Sequence, residues 1–521
     1  MERIHSGITD IFVKIKSAFH SQSYINHQNP EVSMGSKGIN HYIEAAQRSA
    51  LWHQDYLKEM KKCRFDTIAV HGIYSMQEAL DFNQGSIIEP IYMATSQSYR
   101  DADEMEAALS YQIPTWCYSR IANPTIYYLE GVLALLESYG SDVEASCIAT
   151  ASGMAAIQTA VDPFLLPDTE NPSKPVNFVA STQVYGGTFQ QFAVRKQQER
   201  GIEWRKVIHS DDLKEWESLI DDNTRFLYGE MPSNPGQAFF DLKKVIELGH
   251  KHGIPVIVDS TVATPALMRP LTMGADIVVQ SVTKTLATSG FGIVGAVIAR
   301  KNLTSKVGSP EMKADFCMYA KTLPNRDNGP NLSPMNAIMA INDIRTLRSR
   351  VDMQSRSTMT IAKYLSSHKH IEQVDYLGLE SHPLHKLASE YLWLADSEHD
   401  EQYGKKVNRY GHLMSFHVKG GARAARDVFD GLQRIWRATD LGRIKSVATI
   451  PSISTHSQQG EEGRKLAGIP ANLIRLCVGA EHPDDIIADL NQALSVLDGN
   501  KIVSTAPEYS AGGASSATLR R

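Results

Sequence analysis

An α/β fold, with a mostly parallel central sheet followed by a smaller α+β domain, is what this sequence predicts, on three observations. Short apolar strands alternate with helical stretches between residues 174 and 300. A mainly helical run follows from about 334 to 366. Beyond it come a strand-like segment, GHLMSFHVKG (411–420), and a closing helix, DDIIADLNQALSVL (484–497). Strand–helix alternation marks parallel strands joined by crossover helices, and the later segment lacks that rhythm.

The elements follow in order. In residues 1–62, Ile8, Ile11, Phe12, Ile15 and Phe19 recur at helical spacing beside Lys14 and Lys16. The spacing predicts a short amphipathic helix in an extension that packs on the body or on a partner subunit. Glu2 and Asp10 argue against a targeting presequence, although import is left open. Residues 63–330 read as an arm plus a large domain built on the parallel sheet. Its strands are NFVAS (177–181), RFLYGE (225–230), PVIVDS (255–260), DIVVQS (276–281) and AVIAR (296–300). DLKKVIELGHKHG (241–253) is an amphipathic helix stopped by Gly253. Residues 331–500 form the smaller domain, with Arg345, Arg348, Arg350 and Arg356 expected on the solvent side of its helices. The small, polar residues of 501–521 read as a disordered tail.

Composition removes several function classes. The 521 residues amount to about three ordinary domain lengths. With 53 Lys+Arg against 58 Asp+Glu, the formal charge of −5 leaves no case for a nucleic-acid or polybasic membrane surface. No apolar run approaches the ~18 residues of a spanning helix. Cys63, Cys117, Cys147, Cys317 and Cys477 are scattered, odd in number and without a CxxC pair. A disulfide framework and structural zinc are therefore not expected, and a reducing, cytoplasmic setting is.

The sharpest chemistry lies on the parallel segment. The strand PVIVD ends in Asp259, and Ser281-Val282-Thr283-Lys284 follows DIVVQ. In open α/β sheets ligands bind outside the carboxyl ends of the strands, so a carboxylate and a lysine share the ligand edge. An Asp there can hold a heteroaromatic nitrogen protonated, and a desolvated Lys can form a Schiff base. Pyridoxal 5'-phosphate needs both, plus a phosphate clamp, to which the Ser281 and Thr283 hydroxyls are candidates. Alone, an S-x-T-K string reads first as a surface loop; Asp259 upstream brings the two readings level. Gly153 and Met154 open a small-residue helix after Ser152, which fits an anion site or plain close packing. Tyr185, before Gly186-Gly187, offers either an aromatic face to a planar ring or ordinary packing. Arg475, inside the apolar LIRLCVG, implies a substrate carboxylate or a buried salt bridge. Gly290, Gly292 and Gly295 spell GxGxxG, but they precede a strand instead of opening a helix, so no dinucleotide is inferred. The close His pairs lack a completing ligand set, and no metal is expected.

The order of motifs resembles the Cys/Met-metabolism family of pyridoxal-phosphate enzymes, which includes cystathionine γ-synthase, cystathionine γ-lyase, methionine γ-lyase and the O-acylhomoserine sulfhydrylases. The resemblance runs from about residue 64 to 497. Its motifs are FDTIAVHG (65–72), YSRIANPT (118–125), SGMAA (152–156), YGGTF (185–189), MPSNP (231–235), VDSTVATP (258–265), SVTK (281–284), THS (455–457) and IRLCVGAEHPDDIIADL (474–490). It implies a fold-type I, aspartate-aminotransferase-like architecture. It also implies that Lys284 is the Schiff-base lysine and proton shuttle, that Asp259 pairs with the pyridine nitrogen, and that Tyr185 stacks on the ring. Gly153, Met154, Ser281 and Thr283 would hold the phosphate, Asn234 would lie near the phenolic oxygen, and Arg475 would bind the substrate α-carboxylate. Tyr118 and Arg120 would reach the neighbouring subunit's phosphate, which requires a homodimer or a homotetramer.

The implied reaction is γ-replacement on an O-acylhomoserine with a thiol or sulfide acceptor, a transsulfuration of the cystathionine γ-synthase kind. The alternatives are a γ-lyase acting on methionine or cystathionine, γ-replacement with a non-sulfur nucleophile, and a fold retained for assembly without turnover. Two departures bear on the choice. Asp440-Leu441-Gly442 stands where the family usually reads Ser-Leu-Gly, and the Asp440 carboxylate would repel that of the substrate unless Lys445 or another cation compensates. Lys445 itself stands where the cystathionine enzymes have a Glu that receives the amine of cysteine, which weakens the case for cysteine as acceptor.

Overall fold

The structure, a computed structural model, describes residues 38–113, 116–167 and 175–500. The amphipathic stretch expected at 8–19 and the tail at 501–521 lie outside the described residues.

Seven strands build the larger sheet: β1 (Ala145–Thr150), β2 (Asn177–Ser181), β3 (Glu203–Val207), β4 (Thr224–Glu230), β5 (Val256–Asp259), β6 (Ile277–Gln280) and β7 (Gly295–Arg300). Their spatial order is β1-β7-β6-β5-β4-β2-β3. The neighbours from β3 across to β6 pair in parallel, and every residue of β4, β5 and β6 is buried. Burial on both faces is why these strands read as unbroken Val/Ile runs. The helix Leu242–Lys251 covers them with Val245, Ile246 and Leu248, starting at an Asp241 cap that accepts from the Lys244 N–H.

β7 corrects one expectation: it runs antiparallel to both β6 and β1. Residues 281–294 contain only a short 3-10 turn, Thr285–Ala287, between β6 and β7. A parallel return needs a crossover long enough to span the sheet, and this link has none. β1 and β3 escaped the sequence reading. ASCIAT is a run of mostly small residues, and EWRKV is an edge strand whose charged positions hide the alternation.

The second sheet has the order β10-β11-β12-β9-β8. Its strands are β8 (Ile371–Asp375), β9 (Leu413–Val418), β10 (Trp436–Arg437), β11 (Val447–Thr449) and β12 (Leu473–Cys477). The long helix Leu347–Ser366 packs on β8, β9 and the closing helix Pro483–Leu494, while Pro334–Ile344 packs on Pro124–Glu137 of the larger layer. One apolar cluster joins the two layers, running from Leu267, Val282 and Leu286 to Ile341, Leu347, Tyr376 and Leu476. At the front, the helix Ile39–Lys61 buries Tyr42 and Ala46 against Ala107, Ala108 and Ile113. No helix among the described residues is long and apolar enough to cross a membrane.

The solvent-side placement of the helical arginines fails for most of them. Arg350 is buried and donates to the Thr285 carbonyl (3.0 Å), the Asp343 carbonyl (2.7 Å) and the Thr346 hydroxyl (3.1 Å). Arg345 pairs with Glu89, and Arg348 bridges Asp66 (2.6 Å) and Asp400 (3.0 Å). Only Arg356 is half open to solvent, 3.3 Å from Asp352. Buried guanidinium groups persist where carbonyls and carboxylates satisfy their donors.

Candidate active site

β4, β5 and β6 end side by side, and the registry sets Glu230 directly opposite Asp259. Asp259 is buried. Its Oδ1 accepts from the Thr261 N–H at 3.0 Å and from the Thr261 hydroxyl at 2.5 Å. Burial raises this carboxyl, and the Thr261 bonds pull it back. Thr261 Oγ1 in turn accepts from the Ser281 N–H at 2.8 Å, which ties the aspartate turn to the lysine loop.

That loop is held from several sides. The Thr283 hydroxyl donates to the Val294 carbonyl (3.0 Å) and accepts from the Val294 N–H (2.8 Å), so its single proton is used within the chain. Lys284 Nζ donates to Asp440 Oδ1 at 2.9 Å. Beside Ser281 begins the helix Gly153–Val161. A Cβ on Gly153 would lie 2.6 Å from Ser281 Cβ and 2.7 Å from its Oγ, so only glycine lets the helix start meet the hydroxyl. A helix N-terminus closed by a hydroxyl is a cradle for a phosphate. Met154 Sδ and the Tyr185 ring close in on Gly187, at 3.0 and 2.5 Å from where its Cβ would be.

Glu230 was not singled out in the sequence, yet it positions two residues that were. Its carboxylate accepts the Tyr185 N–H (2.6 Å) and the Asn234 N–H (2.8 Å). Burial, and then the neighbouring charge of Asp259, push it well above the usual carboxylate range. The available signal was an acid closing a strand with the apolar stretch FLY, weaker than the run that marked Asp259 because Thr224 and Arg225 open it. Tyr185 stays 37% exposed at its helix start, with its hydroxyl raised chiefly by burial.

Arg475, on β12, is wholly buried. Nη1 donates to Asn234 Oδ1 at 3.1 Å, and Nη2 donates to the carbonyls of Thr439 (3.2 Å) and Asp440 (2.6 Å). Nε has no hydrogen-bond partner. The cation compensating Asp440 is not Lys445, which is exposed with Nζ 4.8 Å from the centre of the Trp436 ring. Lys284, through Nζ, and Arg443, through Nε, do that work together. Tyr118 and Arg120 are both exposed: Arg120 lies over the Tyr118 ring and donates to the Arg326 carbonyl. Neither bonds another of these site residues. No cluster of metal-ligating side chains occurs among the described residues.

Two buried imidazoles flank the site. His412, whose Nε2 lies 3.3 Å from Thr285 Oγ1, is pushed down to about 4 by burial and by the Arg350 and Arg475 charges. His456 is likewise pushed down to about 4, chiefly by burial. Unfolding returns both to their ordinary value of 6.5, so between those limits the unfolded chain binds more protons. The stability these two rings contribute is therefore expected to shrink as pH drops from 6.5 towards 4, so the gap in thermal midpoint between wild type and His412→Asn narrows over that window. A gap that stays constant across that window would show that the His412 ring is not held neutral.

The lysine, the buried carboxylate, the glycine-opened helix and the unpaired Arg475 Nε fit pyridoxal phosphate and an amino acid together. The comparisons agree. A homocysteine synthase of Schizosaccharomyces pombe is 33% identical over 453 residues, covering 83% of this chain and 98% of that protein. An L-methionine gamma-lyase of Pseudomonas putida is 32% identical over 430 residues, covering 82% and 97%. A Campylobacter jejuni structure described as an O-acetylhomoserine (thiol)-lyase carries N'-pyridoxyl-lysine-5'-monophosphate. It superposes with a TM-score of 0.72 at 32% identity, covering 83% of this chain and 100% of that one. The profile of Cys/Met metabolism PLP-dependent enzymes matches residues 66–495, and the chain belongs to that family.

Proposed function

We propose that this protein catalyses γ-replacement on an activated homoserine, an O-acylhomoserine, with sulfide or another thiol as acceptor. The observation that carries the reading is Arg475, a buried guanidinium whose bonded partners are all neutral oxygens and whose Nε is unpartnered. A substrate α-carboxylate seated there supplies the missing countercharge. Asp440 bonds Arg475 through its carbonyl and Lys284 through its carboxylate, so the seated amino acid lies close to the amine.

Bound pyridoxal phosphate supplies the sink for the charge left on the substrate as protons leave Cα and Cβ. Lys284 takes and returns those protons at Nζ. Asp259 keeps the ring nitrogen protonated, and Tyr185 covers the ring and assists proton movement. Ser281 and the first turn at Gly153 and Met154 hold the phosphate. Thr283 fixes the loop between them, and Asn234, which would lie near the phenolic oxygen, orients Arg475. Expulsion of the acyloxy group leaves Cγ open to the acceptor. The exposure of Tyr118 and Arg120 supports a homodimer or homotetramer in which they complete the partner's phosphate site. The free cysteines suit a cytoplasmic setting.

γ-Elimination is the second reading, favoured by the gamma-lyase among the relatives. Product analysis separates the two. Purified protein given an O-acylhomoserine is expected to yield homocysteine with sulfide, or a thioether with a thiol. Release of 2-oxobutanoate and ammonia alone, with either acceptor present, would establish a γ-lyase.

A further inference from the structure

The segment 439–443 is stitched to the lysine loop. Gly442, at φ 75°, lies so close that a Cβ would come within 2.4 Å of the Thr285 nitrogen. The Thr288 hydroxyl donates to the Gly442 carbonyl at 2.9 Å, and Arg443 Nη1 donates to the carbonyls of Thr283 (2.9 Å) and Ala287 (3.0 Å). These contacts fix the Asp440 side chain. Oδ2 bonds Arg443 Nε, while Oδ1 accepts the Leu441 N–H and Lys284 Nζ, each at 2.9 Å. Burial would raise this carboxyl, but the Lys284 and Arg443 charges outweigh burial and hold it below its ordinary value. The carboxylate makes no hydrogen bond to Arg475, which bonds Asp440 through its carbonyl instead.

We propose that Asp440 is a positioning residue for Lys284. Its carboxylate holds the amine whenever Nζ is free, and it stabilises the ammonium formed when Nζ takes a proton from the substrate. In that step the Cα–H bond breaks, its electron pair stays with the substrate and its bound cofactor, and an N–H bond forms on Nζ. The new positive charge then sits beside Oδ1. The inference rests on the proposed γ-replacement only in taking Lys284 as the proton carrier.

Asp440→Asn, which keeps the shape, and Asp440→Ser, which installs the residue usual in related sequences, test it in two ways. In the full chain freed of cofactor, acetic anhydride is expected to modify Lys284 several-fold faster in both variants, read by peptide mass spectrometry, because the amine has lost its anionic partner. In the holoenzyme, kcat is expected to fall about tenfold with KM within about twofold, and Asp440→Glu to recover part of the loss. An unchanged result in either measurement, in both variants, overturns the proposal. Lys284→Ala separates the two levels. If it retains turnover, the γ-replacement reading fails; if it is inactive while the Asp440 variants match wild type, only the role of Asp440 fails.

Discussion

Lys284→Ala is expected to lower kcat by about four orders of magnitude, the upper end of what one positioned proton carrier contributes. Nζ lies at the ligand edge of the larger sheet, 2.9 Å from Asp440 and next in sequence to a threonine whose proton is already used. Arg443 and Arg475, which share Asp440 with it, are guanidinium groups with hydrogen bonds of their own and cannot exchange protons near neutral pH. Neither guanidinium can take over the shuttle. Steady-state assays with an O-acylhomoserine and sulfide measure the loss. Borohydride reduction followed by peptide mapping is expected to leave a pyridoxyl group on Lys284 of the wild type. Near-normal turnover in the variant would remove Lys284 from the chemistry altogether.

Arg475→Ala is expected to raise the apparent KM for the amino acid about a hundredfold, with a smaller change in kcat. Losing a buried, charge-assisted carboxylate contact costs on the order of 2–5 kcal/mol, and about 2.7 kcal/mol corresponds to that factor. The substitution also strips Asn234 Oδ1 and two carbonyls of their donor, so Arg475→Lys serves as a second variant that keeps the charge while losing the planar fork. KM is expected to rise in both. A KM unchanged in both, with a lower thermal midpoint, would make Arg475 a structural cation.

Much of this was legible in the sequence because the relevant signals were local. β4, β5 and β6 announce themselves through two-sided burial, and a carboxylate or lysine just past such a strand lands at the ligand edge. The direction of β7 was not legible, since an apolar run looks the same either way round; only the missing crossover betrays it. Glu230 needed the β4–β5 registry to be seen as the neighbour of Asp259. Arg350 and Arg443 were hidden because an arginine buried to satisfy carbonyls has the same sequence signature as one in solvent. Asp440 was visible as an oddity. Its partner was not, because Lys284 lies far away in sequence and meets it only through the fold.

Arg350 has one more consequence. From the long helix under the smaller sheet it grips the Thr285 carbonyl, one residue past Lys284, while Arg475, the proposed carboxylate seat, stands on that sheet's own strand. Substrate grip and reactive amine are therefore geared to one frame. A displacement of the smaller sheet that improves the seat for a bulkier amino acid also turns the loop that presents the amine. On the proposed roles, selectivity and speed are expected to move together, and broadening the substrate range through that frame is expected to slow turnover unless the Arg350 grip is loosened as well.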